Sequence, residues 1–185
     1  LEKKSKNQII KNLHRRAKYI IFDLDKFSII LHLGMSGSLR IANNDDNYFL
    51  KHDHVEFLFE NEKIIYNDPR RFGSIHLTAD IDKHRLINHL GPEPLSKDFN
   101  SKYLLALCSK SKTNIKTLLM NQKNVVGIGN IYASETLYLS KINPFKNSSK
   151  LTINDCKKVV SSSKKILNAA IKVGGTTLKD FYSAD

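Results

Sequence analysis

The hydrophobic period of this chain changes once, and the change falls at Gly91-Pro92-Glu93-Pro94. Before that point apolar residues cluster in short runs separated by turn residues, the pattern of strands; after it they recur every three or four residues, the pattern of amphipathic helices. Residues 19–24 and 27–33 flank Asp25 and Lys26 at hairpin spacing, 54–60 and 63–67 flank Asn61 and Glu62, and 73–77 follows as a further short strand. From about residue 80, Ile81, Leu86, Ile87 and Leu90 predict a helix. Another is predicted through Ile153, Cys156, Val159, Val160, Ile166, Leu167 and Ala170, opened by a Thr152/Asp155 capping box and closed by Gly174 and Gly175. The expected fold class is therefore α+β: an antiparallel β-sandwich lobe over residues 1–90 and a helical lobe over 91–185, hinged at the Gly-Pro-Glu-Pro segment.

Charge narrows the partner. Thirty Lys and Arg against 18 Asp and Glu give the 185-residue chain a net charge of +12, as expected for a protein that meets a polyanion. Nucleic acid is the leading candidate; no apolar run approaches the roughly 20 residues of a spanning helix, and no secretory signal is visible. A reducing cytoplasm suits Cys108 and Cys156, which sit far apart in apolar contexts and read as buried free thiols, not as a metal site. The chain opens on Leu1, and its methionines are Met35 and Met120, so a trimmed start is expected.

Four segments carry candidate chemistry. In Asn124-Val125-Val126-Gly127-Ile128-Gly129-Asn130, between a helix ending near Met120 and one starting near Asn130, a glycine turn delivers a helix start at which a phosphate fits. An ordinary helix connection fits equally well. In His32-Leu33-Gly34-Met35-Ser36-Gly37, glycines on both sides raise Met35 either as a wedge or as a core residue beside a turn. Asp68-Pro69-Arg70-Arg71-Phe72-Gly73 pairs cations with an aromatic, and Met35, Arg70 and Phe72 together could enter a base stack. A solvated arginine turn with a core Phe72 is the bland alternative. In His14-Arg15-Arg16-Ala17-Lys18-Tyr19, alternation puts Lys18 on the face of Ile20, aimed at an interior or a cleft where an ammonium needs a phosphate or a carboxylate.

Taken in order, these segments resemble the bacterial formamidopyrimidine-DNA glycosylase family. The resemblance runs through Arg15-Arg16-Ala17-Lys18-Tyr19, His32 to Gly37, Lys51-His52-Asp53-His54, Asp68 to Gly73, Leu90-Gly91-Pro92-Glu93-Pro94-Leu95 and Gly127-Ile128-Gly129-Asn130-Ile131-Tyr132-Ala133-Ser134-Glu135. It implies excision of oxidised purines from duplex DNA, by amine attack at the sugar followed by β- and δ-elimination, by a monomer in the bacterial cytoplasm. By the same resemblance Met35, Arg70 and Phe72 fill the void left by an extruded nucleotide, with Arg70 facing the orphaned cytosine. Lys18, His32 and Asn130 contact phosphates around that nucleotide, His52 is a further DNA contact, and Lys18 is also a proton donor in β-elimination. Lys116 is implied near the damaged base, inside a helix-two-turns-helix clamp over residues 114–140. At Ser111 the family often carries a basic residue, a role that Lys110 or Lys112 would take here.

The resemblance departs at both ends. The family's nucleophile is an N-terminal proline followed by glutamate, whereas the prolines here are at 69, 92, 94 and 144, and Glu2 is not the family glutamate. Gly174 to Phe181 matches the stretch before a lesion-capping loop and a four-cysteine zinc finger. No cofactor or metal is thus expected in these residues, and catalysis is expected to be absent or severely weakened. Two rival readings are a non-catalytic DNA-binding remnant and a general RNA- or ribosome-binding basic protein.

Overall fold

A computed structural model describes residues 2–46 and 48–175, so the expectations placed on 176–181 lie outside the described residues. The fold divides between Asn88 and His89 into two compact units.

The first unit opens with a single helical turn, α1 (Glu2–Ser5), and then builds two antiparallel sheets. One sheet orders β1 (Ile10–Arg16), β2 (Tyr19–Leu24), β3 (Ser28–His32) and β7 (Ser74–Thr78); the other orders β4 (Ser38–Asn43), β6 (Glu62–Asn67) and β5 (Asp53–Leu58). The register pairs Ile20 with Leu31 and Phe22 with Ile29, so alternate residues of β2 and β3 build one apolar face. Leu39 and Phe57 of the other sheet pack on that face, and the Phe22 and Phe57 rings stack with centroids 6.0 Å apart. Each large side chain sealed there contributes roughly 1.5–3 kcal/mol. The opposite face is also covered: Ile21 and Ile30 are buried, and His84, from the segment after β7, lies against His76 of β7 with ring centroids 5.4 Å apart.

Two strands escape the sequence pattern, and one helix fails to form. β1 is an edge strand with nearly every residue exposed, so it needs no apolar alternation and reads as a basic run; β4 is the edge strand of the other sheet and only partly covered. Residues 80–90 are successive turns, contrary to the helix predicted from Ile81, Leu86, Ile87 and Leu90. Asp80 Oδ1 accepts the N–H groups of Asp82 and Lys83 as a helix cap would, but His84 Nδ1 takes the Leu86 N–H, which a continuing helix would aim at the carbonyl of Asp82.

The second unit contains α2 (Ser101–Ser109), α3 (Ile115–Met120), α4 (Asn130–Leu139) and α5 (Ile153–Lys172). Their inward stripes meet in one core that includes Phe99, Leu104, Ile115, Leu119, Ile128, Leu137 and Val159. Caps fix the ends: Asn100 Oδ1 accepts from Lys102 and Tyr103, Asn114 Oδ1 from Thr117, and the Thr152/Asp155 capping box forms as predicted. Cys108 and Cys156 are buried free thiols; burial first, and then Cys156 beside it, pushes the Cys108 thiol up to about 12.

Candidate nucleic-acid interface

In the first unit the predicted residues sit on turns that the sheets hold still. β1 and β2 are joined by a two-residue hairpin in which Ala17 takes a left-handed φ of 54°, and Arg15 Nη1 donates to Ala17 O at 2.7 Å to close it. Lys18 is the second residue of that turn, outside the strand alternation, and is exposed as a residue while its ammonium is partly covered. No described carboxylate pairs with it, while the protein packed around its ammonium lowers that group's proton affinity through lost hydration.

His32, at the end of β3, has its ring 5.2 Å from that of Tyr19. Gly34 N–H donates to His32 Nδ1 at 3.1 Å, which assigns the ring proton to Nε2 and leaves that atom a donor. Burial first, and then the Lys18 charge, lowers the His32 pKa, so the ring is neutral at pH 7. A neutral Nε2–H beside an unpaired ammonium is a donor pair suited to a phosphate oxygen.

The loops carrying Met35 and Phe72 are built as one piece. Gly34 has φ +68°, and a Cβ there would lie 2.6 Å from Gly73 N and Phe72 C; a Cβ on Gly73 would lie 2.6 Å from His32 O. Glycine is required by this backbone-to-backbone approach. Asp68, only 1% exposed, ties the loops together. Its carboxylate accepts from Ser36 Oγ at 2.6 Å, Tyr66 OH at 2.8 Å, Gly73 N–H at 2.8 Å and Arg70 N–H at 3.3 Å. These donors, Ser36 foremost, hold the Asp68 carboxyl far below its ordinary range, and burial with the neighbouring Asp68 pushes Tyr66 up to about 12.

On this bracket Met35 is 72% and Phe72 58% exposed, which removes the core alternative for both. The Arg70 guanidinium carbon stands 4.9 Å from the Phe72 ring centroid. Nearby, His52 takes a left-handed φ of 76° in a turn closed by Asp53, which accepts from Leu50 N–H at 2.9 Å and two bonds from Arg40 at 2.6 and 2.5 Å. His52 O accepts Asp68 N–H at 3.0 Å, so that turn joins the same bracket.

In the second unit α3 and α4 are linked by the turns of residues 121–129. Gln122 Oε1 accepts Gly127 N–H at 2.9 Å, and Asn124 Nδ2 donates to Leu118 O at 3.0 Å. Tyr103 OH donates to Asn124 O at 2.7 Å, while Gly91 N–H and Val126 N–H form backbone bonds that strap Gly91-Pro92 onto these turns. The Gly127 N–H is thus engaged internally, and the group left for an anion is the start of α4, which has neither a side-chain cap nor an acidic residue in its first turn. Asn130 stands there, exposed. Lys116 lies in the first turn of α3, half-buried. Ser111 and Lys112 occupy the α2–α3 connection: Ser111 Oγ shares a hydrogen bond with Thr113 Oγ1, Lys112 O accepts from Asn147 Nδ2, and the Lys112 side chain remains exposed.

Sequence reasoning gave no role to Asp68, Ser36, Tyr66, Gln122 or Asn124, which position the rest. An aspartate directly before proline was the available signal for Asp68, as a residue that caps its own turn. A four-cysteine zinc site does not fit these residues: both cysteines are sealed in a core, and among the described residues no group of three or more His, Cys, Asp or Glu could hold a metal.

An antiparallel sandwich with glycine-locked loops, together with a unit in which two turns join consecutive helices, defines a helix-two-turns-helix protein. Residues 1–75 match the formamidopyrimidine-DNA glycosylase N-terminal domain and residues 90–182 match the formamidopyrimidine-DNA glycosylase H2TH domain. The formamidopyrimidine-DNA glycosylase of Escherichia coli (strain 55989 / EAEC) is 48% identical over 180 residues, covering 97% of this chain and 66% of that protein. That of Enterobacter sp. (strain 638) is 49% identical over 175 residues, 94% of this chain and 65% of that protein. Among solved structures, the Lactococcus lactis enzyme bound non-covalently to DNA containing an AP site superposes with a TM-score of 0.88 at 37% identity, over 96% of this chain and 69% of that one. This chain belongs to the formamidopyrimidine-DNA glycosylase family, and it spans slightly less than two thirds of the curated relatives' length.

Proposed function

We propose that these residues are the duplex-reading part of a base-excision repair protein of the bacterial cytoplasm that removes oxidised purines and cleaves the resulting abasic site. The single observation that carries this reading is the Asp68 bracket, which raises Met35 and Phe72 into solvent beside Arg70 although an exposed apolar pair costs solubility and adds nothing to the core. Such wedges support a partly unstacked duplex when a nucleotide is turned out, and Arg70 supplies a planar donor set for the base left behind. Lys18 and His32 hold phosphate oxygens at the turned-out nucleotide. Lowered proton affinity makes Lys18 a better acid than an ordinary lysine, in keeping with a proton donor during elimination. Lys116, Asn130, Ser111 and Lys112 grip the backbone from the helical unit, and His52 adds a contact from the β unit. The solved relatives bound to abasic-site and formamidopyrimidine-containing DNA support the same reading.

The test is binding to a duplex with a tetrahydrofuran abasic analogue opposite cytosine and to its intact counterpart, with borohydride trapping in parallel on a natural abasic duplex. Preference for the interrupted duplex supports the reading, and a trapped adduct would add an amine nucleophile among these residues. Equal affinity for both duplexes would overturn the wedge assignment.

A further inference from the structure

The face of the helical unit formed by the end of α4, the loop after it and the middle of α5 takes no part in the reading above. Two adjoining depressions lie there, and Lys141 lines both. The first, about 460 Å³, has Lys157 and Lys158 of α5 on its wall. None of these three lysines is in an ion pair among the described residues, and Asp155, two residues before Lys157, is already held by Lys146 at 2.9 Å and by the Thr152 cap. The second depression, about 410 Å³, has an aliphatic floor of Leu137, Ile142 and Pro144. Tyr138 stands on its rim 87% exposed, and Phe145, next to Pro144, is 82% exposed. Looseness does not explain that exposure, since Phe145 N–H donates to Asn143 Oδ1 at 2.9 Å in a closed turn.

Backbone geometry singles out Lys141. After α4, Ile142 N–H bonds Leu137 O at 3.0 Å and Lys141 N–H bonds Tyr138 O at 3.0 Å, the paired bonds of a helix end whose outer residue turns left-handed. Glycine normally fills that place, yet this chain has lysine there at φ 55°. The lysine side chain thus leaves the end of α4 between a cationic hollow and an apolar one.

We infer that this face docks a short acidic peptide segment of a partner protein, its carboxylates on Lys141, Lys157 and Lys158 and an apolar side chain in the Leu137/Ile142/Pro144 hollow. Charge complementarity sets the sign of the partner. The concave aliphatic floor of Leu137, Ile142 and Pro144 fits a branched apolar side chain better than a flat base, which favours a peptide.

The test uses the full chain and a fluorescein-labelled peptide in which glutamates flank a Leu-Phe pair, followed by anisotropy. Lys141→Gly, which relaxes the backbone and so keeps the fold, and the double variant Lys157→Ser/Lys158→Ser each weaken peptide binding roughly tenfold. Changing Leu-Phe to Ala-Ala in the peptide does the same, and affinity for the abasic-analogue duplex is unchanged in both protein variants. Peptide binding that is indifferent to the lysine variants, or equal for the alanine peptide, overturns the proposal. Oligothymidylate binding that depends on the three lysines while the peptide fails to bind would assign the face to single-stranded nucleic acid instead.

Discussion

Asp68 holds two loops with one carboxylate, and among the described residues no cation pairs with it. Replacing it by Asn exchanges an acceptor-only group for one that brings its own donors to Ser36, Tyr66 and Gly73, so Asp68→Asn lowers the thermal midpoint by several degrees at pH 7. Its folded pKa lies far below the ordinary 3.8, so the ionised form stabilises the fold above that value and the contribution is lost as pH falls below it. The gap in midpoint between wild type and variant therefore narrows as melts are taken from pH 5 toward pH 3. His32 responds in a different window. Its pKa is depressed, so below about the ordinary 6.5 the unfolded chain takes up a proton that the folded ring resists, and stability drops as pH falls from 7 to 5. In His32→Gln that part of the slope disappears from urea titrations across the same range. Met35, Arg70 and Phe72 could be picked out in the sequence because their loops carry the wrong residue types for plain turns. Asp68 escaped notice because the bond that joins the two loops comes from Ser36, 32 residues away, although Tyr66, Arg70 and Gly73 are near it in sequence.

At the scale of elements, the two loops of the β unit are held together because their backbones touch. Gly34→Ala places a methyl 2.6 Å from Gly73 N at a left-handed φ, costing at least about 2 kcal/mol, and it separates the Met35 and Phe72 loops. Gly127→Ala, by contrast, meets nothing within 4 Å and bears backbone strain alone, about 1 kcal/mol. Urea midpoints of the two variants check that ranking. The same elements show where periodicity is informative. β2 falls on the predicted residues 19–24, and the α5 cap forms at Thr152, because apolar alternation and the capping pair each reflect burial or a local bond. β1 carries no such mark since an edge strand buries little, and the 80–90 segment imitates a helical stripe while the His84 ring takes the Leu86 N–H that a helix would use.

For the whole molecule, net charge and fold point to the same partner. On the proposed reading, a chain of +12 that neutralises phosphates releases counterions, so its DNA affinity is expected to fall steeply with salt. Lys116→Ala is expected to weaken binding similarly for all duplexes and to reduce the slope of log affinity against log salt by about one. The most direct measurement of the central claim compares the wild type with Met35→Ala/Phe72→Ala on tetrahydrofuran-containing and intact duplexes of one sequence at fixed salt. The account predicts that the wild type prefers the interrupted duplex and that the variant loses most of that preference, by roughly tenfold, while its affinity for intact duplex stays unchanged. A variant that keeps the full preference would contradict it and reduce these loops to an ordinary basic surface.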